Sequence, residues 1–323
     1  MNRREPIDIT DVNNLTLSIY TIGYPTEGET ILTVICEKDR PVFTIVTDCY
    51  NDVGCHAVNR LLSLLGNPHV DVFIWTHPHD DHSKGIVELL ERNDPRHTAQ
   101  IFLPDGVMAC HSHVLSEETR YTLNYLQKNY NKGIVYNMCY IGVFANELRT
   151  FKWELRQRNT ELILKCLLSF MAPMSTVEAR RFYCDDNTKF NLNDLSIVYS
   201  LNLNDTNYIF GGDLRNQNVQ FINEDSLMNV KFIKIPHHGS NEPMKFLKLL
   251  QKNNVKATVA TTTVFKKKNL PQTETITEYK RVASRILSTG LDNGYRIGCI
   301  RYRTSIVGTS FPQVKTIGNA VAL

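Results

Sequence analysis

His77, His79, Asp81 and His82, four potential metal ligands, fall within the six positions His77-Pro78-His79-Asp80-Asp81-His82, directly after the apolar run 70–76 (VDVFIWT). His77 and His79 are two apart, so an extended or loosely turned backbone aims both rings the same way. Asp81 and His82 then turn toward a second position. Two imidazoles at one point and a carboxylate plus an imidazole at another suit a pair of divalent cations. Nothing in strand or turn chemistry asks for His-x-His-x-Asp-His, which sets the segment apart from an ordinary polar loop. Two further motifs carry less weight alone. Gly211-Gly212-Asp213 after NYIF reads in isolation as a turn. In Pro236-His237-His238-Gly239-Ser240, adjacent histidines would face opposite ways on a strand, whereas in a turn both reach one site.

The elements that must position these residues follow from periodicity. Residues 15–22, 30–36 and 42–48 are rich in β-branched side chains and separated by Gly, Glu and Pro turns, which predicts three hairpin-connected strands. Helical spacing over 53–65 stops at Gly66-Asn67-Pro68. The run 70–76 predicts a strand buried on both faces, and a helix of about ten residues is expected from near Lys84. A strand follows near 100–103, then helical patterns over 116–130 and 146–157, whereas 161–171 fits strand or helix equally. Beyond these come a hairpin (196–203 with 207–210), a helix near 215–228, and a strand over 231–235. A helix (243–252), a strand (256–262), a helix (275–288) and a last strand (295–303) complete the pattern. Strand runs followed by strand–helix alternation, twice over, predict one domain in which two sheets pack face to face with helices outside, with 104–195 as an insertion or lid.

Composition restricts the setting more than the chemistry. A chain of 323 residues buries roughly 75% of its unfolded surface and needs no staples. Its eight cysteines include no Cys-x-x-Cys pair, and most sit in apolar runs where a thiol acts as a small hydrophobe. MNRREPIDIT lacks the apolar segment of a signal peptide, and no stretch approaches a membrane span, so a reducing cytoplasm and no membrane partner are expected. The net charge of +3 is near balance and leaves partners to local patches. Arg149, Lys152, Arg156 and Arg158 have near-helical spacing with Phe151 and Trp153 interleaved, as a nucleic-acid groove has, although a solvated face is the better reading of the pattern. Arg180, Arg181 and Lys266-Lys267-Lys268 form other basic clusters. There is no Gly-x-Ser-x-Gly, no Walker loop and no Gly-x-Gly-x-x-Gly after a strand.

The motif His77-x-His79-x-Asp81-His82 resembles the signature of the metallo-β-lactamase-fold superfamily. The order strengthens the likeness: a strand meander ending in an acidic residue (Asp48), a Gly-Asp after a later hairpin (Gly212-Asp213), and a histidine after another strand (His237-His238). The resemblance spans about residues 15–302 and implies an α/β fold, the four-layer αββα sandwich. It implies metal ligation by His77, His79, Asp81, His82, Asp213 and one of the His237–His238 pair, with Asp213 bridging two cations. His237 is the expected ligand at the second metal and His238 the expected proton donor or substrate contact. Asp48 is expected to orient the turn at residue 80, because ligating imidazoles donate their second N–H to an outer oxygen.

The combination with GGDL and PHHGS is most similar to the ComEC-type hydrolase subgroup, which implies phosphodiester or phosphoester hydrolysis. Nucleic acid is then the expected substrate, with Asp81 orienting a metal-activated water. Zinc suits the imidazole-rich set and manganese suits its carboxylates. Two departures stand out. No histidine lies between His113 and His237, so the first metal position is expected to hold only His77, His79 and Asp213 and to be weak or empty; Leu270 replaces a histidine of the subgroup pattern. His111 and His113 form the other His-x-His pair, read as a polar turn or as extra ligands. A hydrolase of small esters, lactones or cyclic nucleotides, and a non-enzymatic regulatory module of a defence system with protein partners or self-association, are the competing readings.

Overall fold

The fold is described from a computed structural model covering residues 5–109, 115–132, 135–144, 147–175, 191–291, 293–308 and 311–323. Its first half builds one sheet. Strands β2 (Leu15–Gly23), β3 (Glu29–Glu37) and β4 (Arg40–Thr47) form the antiparallel meander expected from the β-branched runs. The order β18-β17-β2-β3-β4-β5-β6-β9 is completed by β5 (Val72–Ile74), β6 (Gln100–Pro104), β9 (Met138–Ile141), β17 (Gly298–Ser305) and β18 (Gln313–Gly318). Strands β4, β5, β6 and β9 run parallel.

The second sheet has nine strands in the order β1-β10-β11-β12-β13-β14-β15-β16-β19. These are β1 (Ile7–Ile9), β10 (Arg149–Gln157), β11 (Ile163–Ala172), β12 (Val198–Leu203), β13 (Thr206–Phe210), β14 (Val230–Lys234), β15 (Ala257–Thr262), β16 (Ala283–Ser288) and β19 (Val321–Ala322). Here β13 to β16 run parallel. A two-stranded ribbon, β7 (Asn131–Lys132) with β8 (Val135–Tyr136), stands apart.

Strand alternation explains the layers. Leu17, Ile19, Ile45, Val72 and Ile74 point from the first sheet into an apolar core shared with Phe170, Tyr199, Leu201, Phe210 and Phe232 of the second. The opposite face of the first sheet, with Tyr20, Leu32, Val46 and Phe73, is covered by Val58, Leu62, Leu89, Leu90 and Leu126 from helices Ala57–Leu64, Ile86–Asn93 and Glu117–Tyr130. The outer face of the second sheet, with Val198, Ile209 and Ile233, is covered by Phe246, Leu250, Ile276 and Tyr279 from helices Met244–Lys252 and Thr273–Tyr279. The chain is the α/β four-layer αββα sandwich. Among the described residues, no helix is long and apolar enough to cross a membrane.

Three elements differ from the sequence reading, the helix expected near 215–228 being a short helix, Asn216–Val219, followed by a 3₁₀ turn, Glu224–Leu227. Residues 146–157 were expected as a basic helix; Arg149–Gln157 is a strand paired with β11 over eight positions. Its alternation sends Phe151 and Trp153 inward against Phe102 and Phe43, so neither ring is free to stack on a base. The expected helix over 275–288 is instead a helix ending at Tyr279 and the strand β16. Within 104–195, β9 lies at an edge of the first sheet and β10 and β11 lie inside the second, while Glu117–Tyr130 is the helix expected over 116–130.

Candidate metal centre

The site sits where parallel strands of both sheets end. Asp48 follows β4, the His77–His82 turn follows β5, Asp213 follows β13, His237 and His238 follow β14, and Thr263 follows β15. Ligand sites of α/β sheets favour the carboxyl ends of parallel strands, where the backbone leaves the ladder. A backbone link joins the two halves there, Ile197 N–H donating to Thr76 O at 3.0 Å, and His237 N–H donating to Gly212 O at 2.8 Å ties together the loops after β13 and β14. Gly212 has φ +48°, and a Cβ on it would lie 2.6 Å from Ile197 O and 2.7 Å from Ser196 Oγ, so the position needs glycine. That turn lets Asp213 N–H donate to Ser196 Oγ at 2.6 Å and points the carboxylate inward.

The carboxylate of Asp213 divides its oxygens. Oδ1 lies 3.6 Å from His82 Nε2 and 3.8 Å from His238 Nε2. Oδ2 lies 3.8 Å from His77 Nε2 and 3.8 Å from His237 Nε2. Asp81 Oδ2 completes the Oδ1 side, 3.3 Å from His238 Nε2 and 3.5 Å from His82 Nε2. On the Oδ2 side, His77 Nε2 faces His79 Nδ1 at 3.0 Å. All seven residues named from the sequence converge, and Asp81, His82 and His238 form one compact buried group while His77, His82 and Asp213 form another. His111 and His113 lie outside the described residues.

Asp48 stands where the sequence places it. Its Oδ1 accepts from Thr76 N–H at 2.7 Å, and its Oδ2 accepts from Thr76 Oγ1 at 2.6 Å and from His82 Nδ1 at 2.7 Å. The Thr76 hydroxyl, its proton given to Asp48, accepts from His77 Nδ1 at 3.1 Å. Both imidazoles therefore carry a proton on Nδ1 and turn Nε2 toward the site.

The two histidines of the pair stand on different sides of the Asp213 carboxylate. His238, fully buried, joins Asp81 and His82 on the second side. His237 stands at the open rim, with Nδ1 3.1 Å from Glu242 Oε2 and Nε2 3.3 Å from Asn193 Nδ2. The cause is backbone: His237, His238 and Gly239 take φ values of +50°, +51° and +79° in succession, so consecutive side chains swing into one concavity. Left-handed backbone at non-glycine residues costs of order 1–2 kcal/mol each and clusters at functional sites.

Asp81 Oδ2, His82 Nε2, Asp213 Oδ1 and His238 Nε2 are buried and have no hydrogen-bond partner among the described residues. Bare imidazole nitrogens and carboxylate oxygens are all acceptors, so their convergence asks for a cation. The electrostatics agree. Burial works to lower the affinity of His82 for a proton, yet Asp81, Asp48 and Asp213 outweigh it and hold its pKa well above the ordinary range. Burial, then His82, drives His77 well below it. For Asp213, burial is outweighed by His237, His238, His82 and His77, which hold the carboxyl well below the usual range. The carboxylates around His82 thus favour positive charge at this point, supplied by a second ring proton on Nε2 or by a cation.

Glu29, Thr76, Asn193, Lys234, Glu242 and Thr263 surround the site and were missed by sequence reasoning. One signal was available: Lys234 is a charged residue inside the apolar strand KFIKI, and lysines are almost never fully buried unless paired. The centre opens into a cleft of about 960 Å³ whose lining includes His79, Asn193, His237, Phe265, Lys267 and Lys268. Leu270, in place of the subgroup's histidine, also lines it.

No protein-family model matches the sequence, and no curated protein matches it. Among solved structures, the metallo-β-lactamase FIM-1 from Pseudomonas aeruginosa in its mono-zinc form is similar at 12% identity. That likeness covers 77% of this chain and 96% of that chain, with a TM-score of 0.32. A likeness so distant is silent on chemistry, which rests on the side chains themselves.

Proposed function

We propose that this chain is a metal-dependent hydrolase that cleaves phosphodiesters, with nucleic acid as the substrate class. The observation that carries the reading is the set of four buried acceptors without a donor, Asp81 Oδ2, His82 Nε2, Asp213 Oδ1 and His238 Nε2. The donor set fits two divalent cations, zinc or manganese. His77, His79 and Asp213 would hold one; Asp81, His82, Asp213 and His238 would hold the other. Bound there, such cations lower the pKa of water toward neutrality and offset charge on phosphoryl oxygens.

The remaining roles belong to the chain. Asp81 accepts a hydrogen bond from the attacking water and fixes its direction. His237, outside the compact group and next to the cleft, is placed to hand a proton to the leaving oxygen, with Glu242 beside its Nδ1. Lys268 at the rim favours an anionic substrate, beside Lys267, which is paired with Glu27 at 2.7 Å, and Phe265, its ring 5.4 Å from that of His238, offers a flat face beside the centre.

The test combines elemental analysis with hydrolysis assays on wild type, His79→Ala and Asp81→Ala. Each substitution should remove at least one metal equivalent and abolish hydrolysis of linear DNA or RNA, while circular dichroism stays unchanged. Turnover unaffected in both variants would remove the proposed centre. Activity confined to small esters, lactones or cyclic nucleotides would replace the substrate class, and wild type without metal after metal-replete purification would leave a non-enzymatic module.

A further inference from the structure

A lysine and a glutamate are buried together behind His238. Lys234 ends β14 and Glu29 begins β3, so the pair joins the two sheets. Lys234 is 0% and Glu29 1% exposed, with Nζ 2.7 Å from Oε2. Such a pair is a poor stabiliser, because desolving two charges costs about what their attraction returns, and apolar replacements are often neutral or better. Its retention in the interior points to another use.

Glu29 Oε2 also accepts a hydrogen bond from Thr263 Oγ1 at 2.5 Å. With its proton committed to Glu29, the Thr263 hydroxyl can only accept from His238 Nδ1, 2.7 Å away. His238 Nδ1 therefore carries the ring proton, and Nε2 stands bare toward Asp81 Oδ2 and Asp213 Oδ1 at 3.3 and 3.8 Å. Lys234 Nζ, 2.7 Å from the same Oε2, fixes that oxygen as the acceptor for Thr263. Asp48 does the corresponding work for His82 and His77 through its own hydrogen bonds, and Glu29, Asp48 and His82 lie close together in the interior.

We propose that Lys234 and Glu29 are positioning residues for the second metal, acting through Thr263 to hold His238 in the tautomer that leaves Nε2 free for ligation. The proposal rests on the two-metal reading above. The lead variant is Thr263→Val, which removes the link and leaves the ion pair in place. The second is the double variant Glu29→Leu/Lys234→Met, which replaces the pair by apolar side chains of similar size. Three quantities are read: zinc affinity by competition with a chromophoric chelator, the His238 tautomer by ¹⁵N NMR of the metal-free protein, and metal-free thermal stability.

Both variants should weaken one of two zinc equivalents about 10–100-fold and lose the single Nδ1–H tautomer. The double variant should nevertheless melt no lower than wild type when metal-free. Wild-type zinc affinity in either variant, or a wild-type His238 protonated on Nε2, would overturn the proposal. A wild type that binds no zinc but shows the Nδ1–H tautomer sinks the metal reading, while preserved zinc binding in the variants sinks only the relay.

Discussion

Asp48→Asn tests how the centre is held together without touching any proposed ligand. The amide is isosteric, and asparagine tolerates the positive φ of +54° at this position. Thr76 N–H requires an acceptor, so the amide oxygen takes the place of Oδ1 and the NH₂ group takes that of Oδ2. There it faces Thr76 Oγ1 and His82 Nδ1, 2.6 and 2.7 Å from the present oxygen. An NH₂ group can only donate, so His82 gives up its Nδ1 proton and, as a neutral ring, keeps one on Nε2, the atom 3.5 Å from Asp81 Oδ2 and 3.6 Å from Asp213 Oδ1. The same donation frees the Thr76 hydroxyl to point at His77 Nδ1, which inverts that ring as well. Both cation positions then meet a protonated nitrogen. Each zinc equivalent should bind about 10–100-fold more weakly, or about 1.4–2.8 kcal/mol each. The metal-free fold should lose only about 1–2 kcal/mol, a few degrees in Tm, because relief of a buried carboxylate offsets the weakened hydrogen bonds. Chelator competition with zinc and thermal melts of the stripped protein supply the two numbers. Wild-type affinity at both equivalents would refute the tautomer argument.

Gly212→Ala should place a methyl against Ile197 O and Ser196 Oγ and pull Asp213 away from its Ser196 contact; loss of at least one zinc equivalent with far-UV circular dichroism retained is expected, and full zinc content would contradict it. The raised pKa of His82 means that at pH 7 the metal-free protein holds a proton there which zinc must displace. Zinc affinity should therefore rise with pH through neutrality, with net proton release seen by calorimetry in two buffers of different ionisation enthalpy; zero release is the contrary result. The sign for stability is opposite: the His82 contribution to the metal-free fold is fully present below about pH 6.5 and is lost as pH rises through the higher folded value. Burial pushes the Cys36 thiol up to about 11 and Cys299 to about 12, and drives Cys49 and Cys166 higher still. These four should resist alkylation in the native protein at pH 8, read by peptide mass mapping; rapid labelling would show that the sandwich opens.

Local chemistry made much of the protein readable from sequence. Three β-branched runs with turn residues between them can hardly be other than a meander, and the strands before HPHDDH, GGD and PHHGS are apolar because parallel strands are buried on both faces. The ligand types at residues 77–82 declared a metal before any coordinates, since such a run has no structural use. Tertiary structure decided what depends on partners distant in the chain. Arg149–Gln157 is a strand because β11 supplies its hydrogen bonds and the shared core takes Phe151 and Trp153, although its charges mimic a helical face. Which histidine of the pair turns toward Asp81 depends on three successive left-handed residues, a backbone property that residue types do not encode. The relay from Lys234 through Glu29 and Thr263 to His238 spans over two hundred residues of chain and exists only because the two sheets face each other. Residue identity chose the chemistry, and the stacking of the sheets chose which atoms meet.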